Sequence, residues 1–351
     1  MKNLFIQRIY DAPIDIIGDI HGEIDALQNL IQILGYDRDG NHNENRKLIF
    51  VGDLCDRGLD SVAVIKLVKH LVDNGNAQCV LGNHELNILI HSKREGNGWF
   101  FGSPHEDDDK KFNSKEASLH DRKMIIHFLS TLPLVLESEK IRVVHACWDN
   151  ASIASLMKDK SKSVKEAYDL FTKRIEEHLT KSDIAQKARK EELGYEFQLK
   201  DFYSKVPFLK NLAHKHVVEQ MNNPVKVVTS GTEAFADDMF FAGGKWRMVK
   251  RLKWWDQYES DIPVVVGHYW RNFNKREKKS DLFQHIDPLH WFGAKKNVFC
   301  IDYSVGKRYE DRQHQREFSN KLVALRFPEN YLVQEDGIIL KIKNTLNDHL
   351  G

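Results

Sequence analysis

Short apolar runs recur along the chain, and each stops abruptly at a small or polar residue. Ile14–Ile17 precedes Gly18-Asp19, Leu48–Val51 precedes Gly52-Asp53, and Cys79–Leu81 precedes Gly82-Asn83. Further on, Ile141–Val144 precedes His145, and Val264–Val266 precedes Gly267-His268. Runs this short and rich in β-branched residues read as buried strands rather than helices. Between the first three, apolar positions recur at helical spacing. Ile24, Leu27, Ile31 and Leu34 share one face, and Val64, Leu67, Val68 and Leu71 share another. Strand–helix–strand alternation predicts right-handed βαβ units, hence an α/β fold with a mostly parallel sheet covered by helices. In such sheets ligands bind beyond the C-terminal strand ends. All five runs deliver their polar residues there, so one site is expected from residues spread over most of the chain.

Two stretches break the pattern. Residues 92–120 are polar and rich in Gly, Asp and Lys, which predicts a long surface loop. Residues 151–220 are Lys- and Glu-rich at helical spacing, which predicts a helical cap inserted within a single domain of residues 1–351.

Composition narrows the classes. Net charge is +1 over 351 residues, so no global field favours nucleic acid, and no dedicated DNA binding is expected. No apolar run approaches the roughly 18 residues of a membrane span, and the first residues lack a signal-peptide core. The four cysteines (Cys55, Cys79, Cys147, Cys300) lie in apolar surroundings without a CxxC pair. They read as reduced thiols in a cytoplasmic protein.

The strand ends carry donors for metal ions. Asp19 and His21 sit in a loop closed by Gly18 and Gly22, and glycines permit the sharp turn that aims both at one ion. Asp53 has two oxygens with which to bridge two ions. One ion is expected to take Asp19, His21 and Asp53; the second takes Asp53, Asn83, His145 and His268. Mixed N and O donors without thiolate suit two divalent ions, Mn first, with Fe, Zn or Co as alternatives. Such a pair activates a hydroxide for in-line attack at phosphorus. His84 is then placed to protonate the leaving oxygen, Asp56 to hold its imidazole, and Arg57 to grip phosphate.

Together GDIHG (18–22), GDLCDRG (52–58) and GNHE (82–85), followed by single histidines at 145 and 268, resemble the calcineurin-like metallophosphoesterases. The DRG extension narrows the resemblance to the phosphoprotein phosphatase superfamily. GNHELNIL with GNGWFFG, CIDYSVG (300–306) and KLVALRFPE (321–329) resemble the bacterial diadenosine-tetraphosphatase-like (ApaH-like) branch and its closing hairpin. This resemblance implies a central β-sandwich flanked by helices. It also implies a hydrolase of nucleotide polyphosphates or phosphorylated RNA 5′ ends. A phosphoprotein phosphatase acting on Ser/Thr or Tyr is the alternative. A non-catalytic scaffold is disfavoured, because every ligand and the acid are present. The chain departs from the branch at His145-Ala146-Cys147-Trp148 and at a charged insertion before Lys321. It also lacks a secure second phosphate-gripping arginine, for which Arg247 and Arg251 are candidates. Trp99, Phe100, Phe101, Trp148, Trp246 and Trp254, interleaved with Lys245, Arg247 and Lys250, are candidates to stack a base and hold a phosphate chain.

Overall fold

The computed structural model describes residues 3–102, 108–273 and 282–344. Its strands, in chain order, are β1 (Ile6–Arg8), β2 (Ile14–Ile17), β3 (Lys47–Phe50), β4 (Ala77–Cys79), β5 (Val135–Glu137) and β6 (Arg142–Val144). They continue as β7 (Glu233–Ala242), β8 (Lys245–Arg251), β9 (Val264–Val266), β10 (Val298–Cys300), β11 (Val323–Phe327), β12 (Tyr331–Gln334) and β13 (Ile339–Lys341). One sheet has the order β13-β12-β11-β2-β3-β4 and the other β1-β5-β6-β9-β10.

The two sheets pack face to face, and period-two alternation along each strand shows how. Ile14, Ile16, Ile49, Leu136, Val143, Val265, Phe299 and Leu325 form one core shared by both sheets. Their neighbours Ile17, Leu48, Phe50, Val144, Val264 and Val266 point the other way into a second core that includes the helices. The fold is therefore a β-sandwich flanked by helices. The hydrophobic pattern alone predicts a single, mostly parallel sheet, and the structure corrects this. Only β2, β3 and β4 form parallel βαβ units in their sheet; β11, β12 and β13 add to it antiparallel. The expected closing hairpin is also revised. The CIDYSVG strand β10 lies in one sheet and the KLVALRFPE strand β11 in the other, with β11 pairing β12 instead.

The covering helices start and stop where local chemistry dictates. Helix Ile24–Leu34 buries Leu27, Leu30, Ile31 and Leu34 and ends at Gly35, whose φ of 92° permits the left-handed cap. Helix Ser61–Asp73 begins at Asp60, whose carboxylate accepts from the Ala63 N–H. A buried ionic knot pins the sheet register. Asp15 on β2 accepts from Arg46 at 3.1 Å and from Arg326 on β11 at 2.8 Å, and Tyr36 donates to it at 2.8 Å. Removing one partner of such a knot typically costs about 3–5 kcal/mol.

Residues 92–120 depart from a simple surface loop. They contain the helices Gly98–Phe101 and Asp108–Phe112, and Trp99, Phe100, Phe112 and Ala117 are buried. Residues 103–107 of this stretch lie outside the described residues. Residues 151–220 are helical, with helices Asn150–Lys158, Val164–Lys181, Ile184–Gly194 and Lys210–Met221. The unit extends further than the sequence pattern suggests, because the β7–β8 hairpin packs on it. Met248 of the hairpin joins Leu199, Val206, Leu209, Leu212 and Ala213 in a small separate core.

Candidate metal centre and phosphoryl site

Both sheets contribute to one rim. Asp19 and His21 follow β2, Asp53 follows β3, and Asn83 opens the helix Asn83–Leu89 after β4. His145 follows β6 and His268 follows β9, in the other sheet. Backbone conformation marks the place. His21, Asp53, Asp56, Arg57 and His268 all have φ between 48° and 73°, a region that non-glycine residues rarely occupy. Such clustering of strained residues is typical of functional sites.

Two imidazoles are aimed by backbone carbonyls. His145 Nδ1 lies 2.7 Å from the Val51 carbonyl and His21 Nδ1 lies 3.0 Å from that of Cys55. In that tautomer Nδ1–H donates, so each Nε2 presents a lone pair to the site. His145 Nε2 faces Asn83 Oδ1 at 3.1 Å and Asp53 Oδ1 at 3.3 Å, while His268 Nδ1 lies 2.7 Å from the same Asn83 oxygen. Asp53, His145 and His268 present ligand atoms all within 4.8 Å of one another.

His21 and Asp53 form a second such group, completed by His84. Asp19, expected to complete it, sits alongside, its two oxygens accepting from the His268 N–H at 3.0 and 3.3 Å. Asp53 belongs to both groups, as a bridging ligand must. Lone pairs that face one another across a buried site need a proton or a cation between them. Asp19 and Asp53 are each 2% exposed, and among the described residues neither pairs with Lys or Arg. The donor set therefore fits divalent ions. The six expected ligands thus converge on one rim.

Next to them stands a proton-handling pair. His84 Nδ1 lies 2.6 Å from Asp56 Oδ2, and the other Asp56 oxygen accepts from the Trp99 indole N–H at 2.6 Å. Burial pulls the His84 pKa down, but Asp53 and the Asp56 contact outweigh it and hold it above the ordinary range. His21 goes the other way. Burial, with Arg57 and His84 nearby, lowers it well below the usual imidazole value. The Arg57 guanidinium reaches His21 Nε2 and His84 Nε2 at 3.4 Å each and lies 4.6 Å from the Trp270 ring centre. A cavity of about 570 Å³ opens over these groups, bounded also by Arg251 and by Ala242-Gly243 at the hairpin tip.

Three contributors, Glu85, Trp270 and Asp302, carried no role in the sequence reading, and Trp99 carried a different one, as a candidate to stack a base. The Glu85 carboxylate accepts from the N–H groups of Asp53 and Leu54 at 2.8 Å and of Gly82 at 3.0 Å, so it shapes the loop that carries Asp53. Its signal was the capping-box position three residues after Gly82. Trp99 steadies Asp56, and Trp270 flanks Arg57. Asp302, just past β10, is 1% exposed, and burial pushes its carboxyl up to about 6. The proposed base-stacking set shrinks accordingly. Trp99, Phe100, Trp148 and Trp254 are buried and Phe101 is half-buried against the core, which leaves Trp246 at a cavity of about 340 Å³ with Lys245 and Arg247.

This rim matches a known pattern. Residues 12–181 match the calcineurin-like phosphoesterases. Within that segment lie Asp19 to His145; His268 and Asp302 fall beyond it. An asymmetrical bis(5′-nucleosyl)-tetraphosphatase of Bacillus velezensis is 48% identical over 145 residues, covering 38% of this chain and 55% of the relative. A symmetrical bis(5′-nucleosyl)-tetraphosphatase of Marinomonas is 31% identical over 164 residues, covering 44% and 54%. The chain spans 30% to 56% of the length of the curated relatives it matches. Among solved structures, the cold-active protein-tyrosine phosphatase of a psychrophilic Shewanella superposes with a TM-score of 0.46 at 16% identity, covering 98% and 83%. Among the described residues no helix is long and apolar enough to cross a membrane.

Proposed function

We propose that this chain is a phosphohydrolase dependent on two divalent ions, acting on phosphoanhydrides of nucleotides. The observation that carries the reading is Asp53, shared by two imidazole groups and standing beside the His84–Asp56 pair and Arg57. Asp53, His21 and Asp19 would hold one ion, and Asp53, Asn83, His145 and His268 the other. When bound, such a pair supplies Lewis acidity toward phosphoryl oxygens and an acidified water.

The chain's own residues do the rest. Arg57 offers a fork of N–H donors to the transferring phosphoryl group, and its contact with Trp270 limits where that fork can swing. His84, oriented by its contact with Asp56, delivers its proton to the departing oxygen. Trp99 donates to Asp56, so that carboxylate stays aimed at His84. The names of the relatives favour a nucleotide polyphosphate as substrate, with a phosphorylated RNA 5′ end as the longer variant. The extra cavity beside Trp246, Lys245 and Arg247 offers room for the distal part of such a molecule. Mn, Fe, Zn and Co are all compatible with this mixed N and O donor set, and Mn is the ion we propose. Four buried free thiols suit a reducing compartment, the cytoplasm.

Chelation tests the reading. Hydrolysis of an aryl phosphate by the purified chain is expected to cease on metal removal and to return with Mn²⁺. Asp53→Asn should lower kcat by roughly 10²-fold or more, since both ions depend on it. Activity indifferent to both treatments would sink the mechanism. A kcat/KM panel of diadenosine tetraphosphate, triphosphorylated RNA and phosphopeptides then ranks substrates; a strong preference for phosphopeptide would overturn the nucleotide assignment.

A further inference from the structure

The loop after β10 presses on the first ligand loop. A Cβ added to Gly18 would lie 2.3 Å from the Ile301 carbonyl oxygen, and one added to Gly306 would lie 2.5 Å from the His21 ring. Residues 301–306 are thus fitted against Asp19 and His21 with no room for a side chain at either glycine. Within that loop Asp302 is 1% exposed. One of its oxygens accepts from the Ser304 N–H at 2.8 Å, while Oδ2 receives no N–H or O–H donor and the carboxyl lies against that of Asp19. Its buried neighbours include the carboxylates of Asp19 and Asp53. Among the described residues none of the three pairs with a lysine or arginine.

Two buried carboxyls in contact need a proton or a cation between them, and a structural role for Asp302 would be served by the Ser304 contact alone. With His21 and Asp53 alongside, the surrounding donors suit a cation. We infer that Asp302 is a further ligand of the ion shared by Asp19, His21 and Asp53, giving that ion a fourth protein donor. The inference rests on the two-ion reading above and adds to it a residue from the far end of the chain.

Mn²⁺ titration of the metal-free chain tests it, with free Mn²⁺ followed by electron paramagnetic resonance. Wild type should bind two ions. Asp302→Asn should weaken one of them by roughly tenfold or more, the scale typical of losing a metal-site group, and leave the other within about twofold. Thermal melting supplies an independent readout. The metal-free variant should melt at or above metal-free wild type, because a carboxylate–carboxylate repulsion is gone. The rise in Tm on adding Mn²⁺ should shrink. Asp302→Ala, which is smaller and cannot clash, should show the same pattern. Unchanged affinities overturn the inference, as does equal destabilisation of the metal-free and Mn²⁺-loaded forms, or failure of both variants to fold. Wild type that binds no Mn²⁺ would instead sink the two-ion reading itself.

Discussion

At the sandwich rim the ionisable side chains are buried and held by backbone. His145 and His21 are aimed by carbonyls, and Glu85 binds three or more N–H groups of the ligand loops. In the cap the charges are loosely tied. Lys200 and Glu196 stand 3.9 Å apart with side chains 72% and 51% exposed, and Lys165–Asp169 is a similarly open pair on one helix. Exposed pairs of this kind contribute typically 0–1 kcal/mol. The contrast bears on evolution of function. Rim geometry is over-determined, so on the proposed function a small displacement there should disable chemistry, whereas residue changes in the helical unit should leave the rim intact.

The largest effects should therefore come from the rim. His84→Asn removes the proton donor while leaving the neighbouring Asn83 backbone in place. We expect kcat to fall by roughly 10²-fold or more with an aryl phosphate of poor leaving group. The loss should be smaller with a leaving group that needs no proton, such as 4-nitrophenolate. Equal losses with both would remove His84 from the acid role and blunt the distinction between rim and cap.

Trp99→Phe comes next. It keeps the buried ring and deletes only the N–H bound to Asp56, leaving one carboxylate oxygen unsatisfied. A cost of about 1–3 kcal/mol in unfolding free energy is expected. It should come with a lower kcat and little change in KM, because Asp56 then loses its aim at His84. Unfolding by urea, together with steady-state kinetics, checks both parts. Trp99→Phe indistinguishable from wild type would remove the indole N–H as a support of the Asp56–His84 pair.

A cap change should act differently. Lys245→Ala with Arg247→Ala is expected to raise KM for diadenosine tetraphosphate roughly tenfold, the order of about 1.4 kcal/mol, while aryl phosphate kinetics stay unchanged. If both substrates suffer alike, the hairpin supports the rim rather than selecting what reaches it.

These contrasts also explain what was legible in the sequence. The expected ligands fall directly after strands, so Asp19, Asp53, His145 and His268 could be read from where each apolar run stops. The second sheet could not, because three-residue strands such as β5 and β10 carry no pairing information of their own. The β7–β8 hairpin did leave a signal, Gly243-Gly244 between alternating residues, but the basic residues around it drew attention to charge instead. Trp99 and Asp302 act across 43 and 283 residues of chain, from Asp56 and Asp19 respectively. Only the folded arrangement joins partners that far apart.

The subtlest difference is one of pH. His216, on the cap helix Lys210–Met221, is largely enclosed. Burial, with Lys245 and Arg247 of the hairpin, Lys215 of its own helix and Lys226 of the next, lowers its pKa to about 4. Glu219 and Glu233 lie near these cations but do not offset them at His216. Between an ordinary value near 6.5 and about 4, the unfolded cap binds a proton that the folded cap refuses. The unfolded state then holds more protons, so stability rises with pH through this window and is lost as pH falls through it. Hydrogen exchange, corrected for intrinsic rates, should show cap amides opening more often at pH 5 than at pH 7. His216→Gln should flatten that dependence, since glutamine has no proton to gain. Equal protection at both pH values, or an unaltered slope in His216→Gln, would remove the cationic surroundings of His216 as a determinant of cap stability.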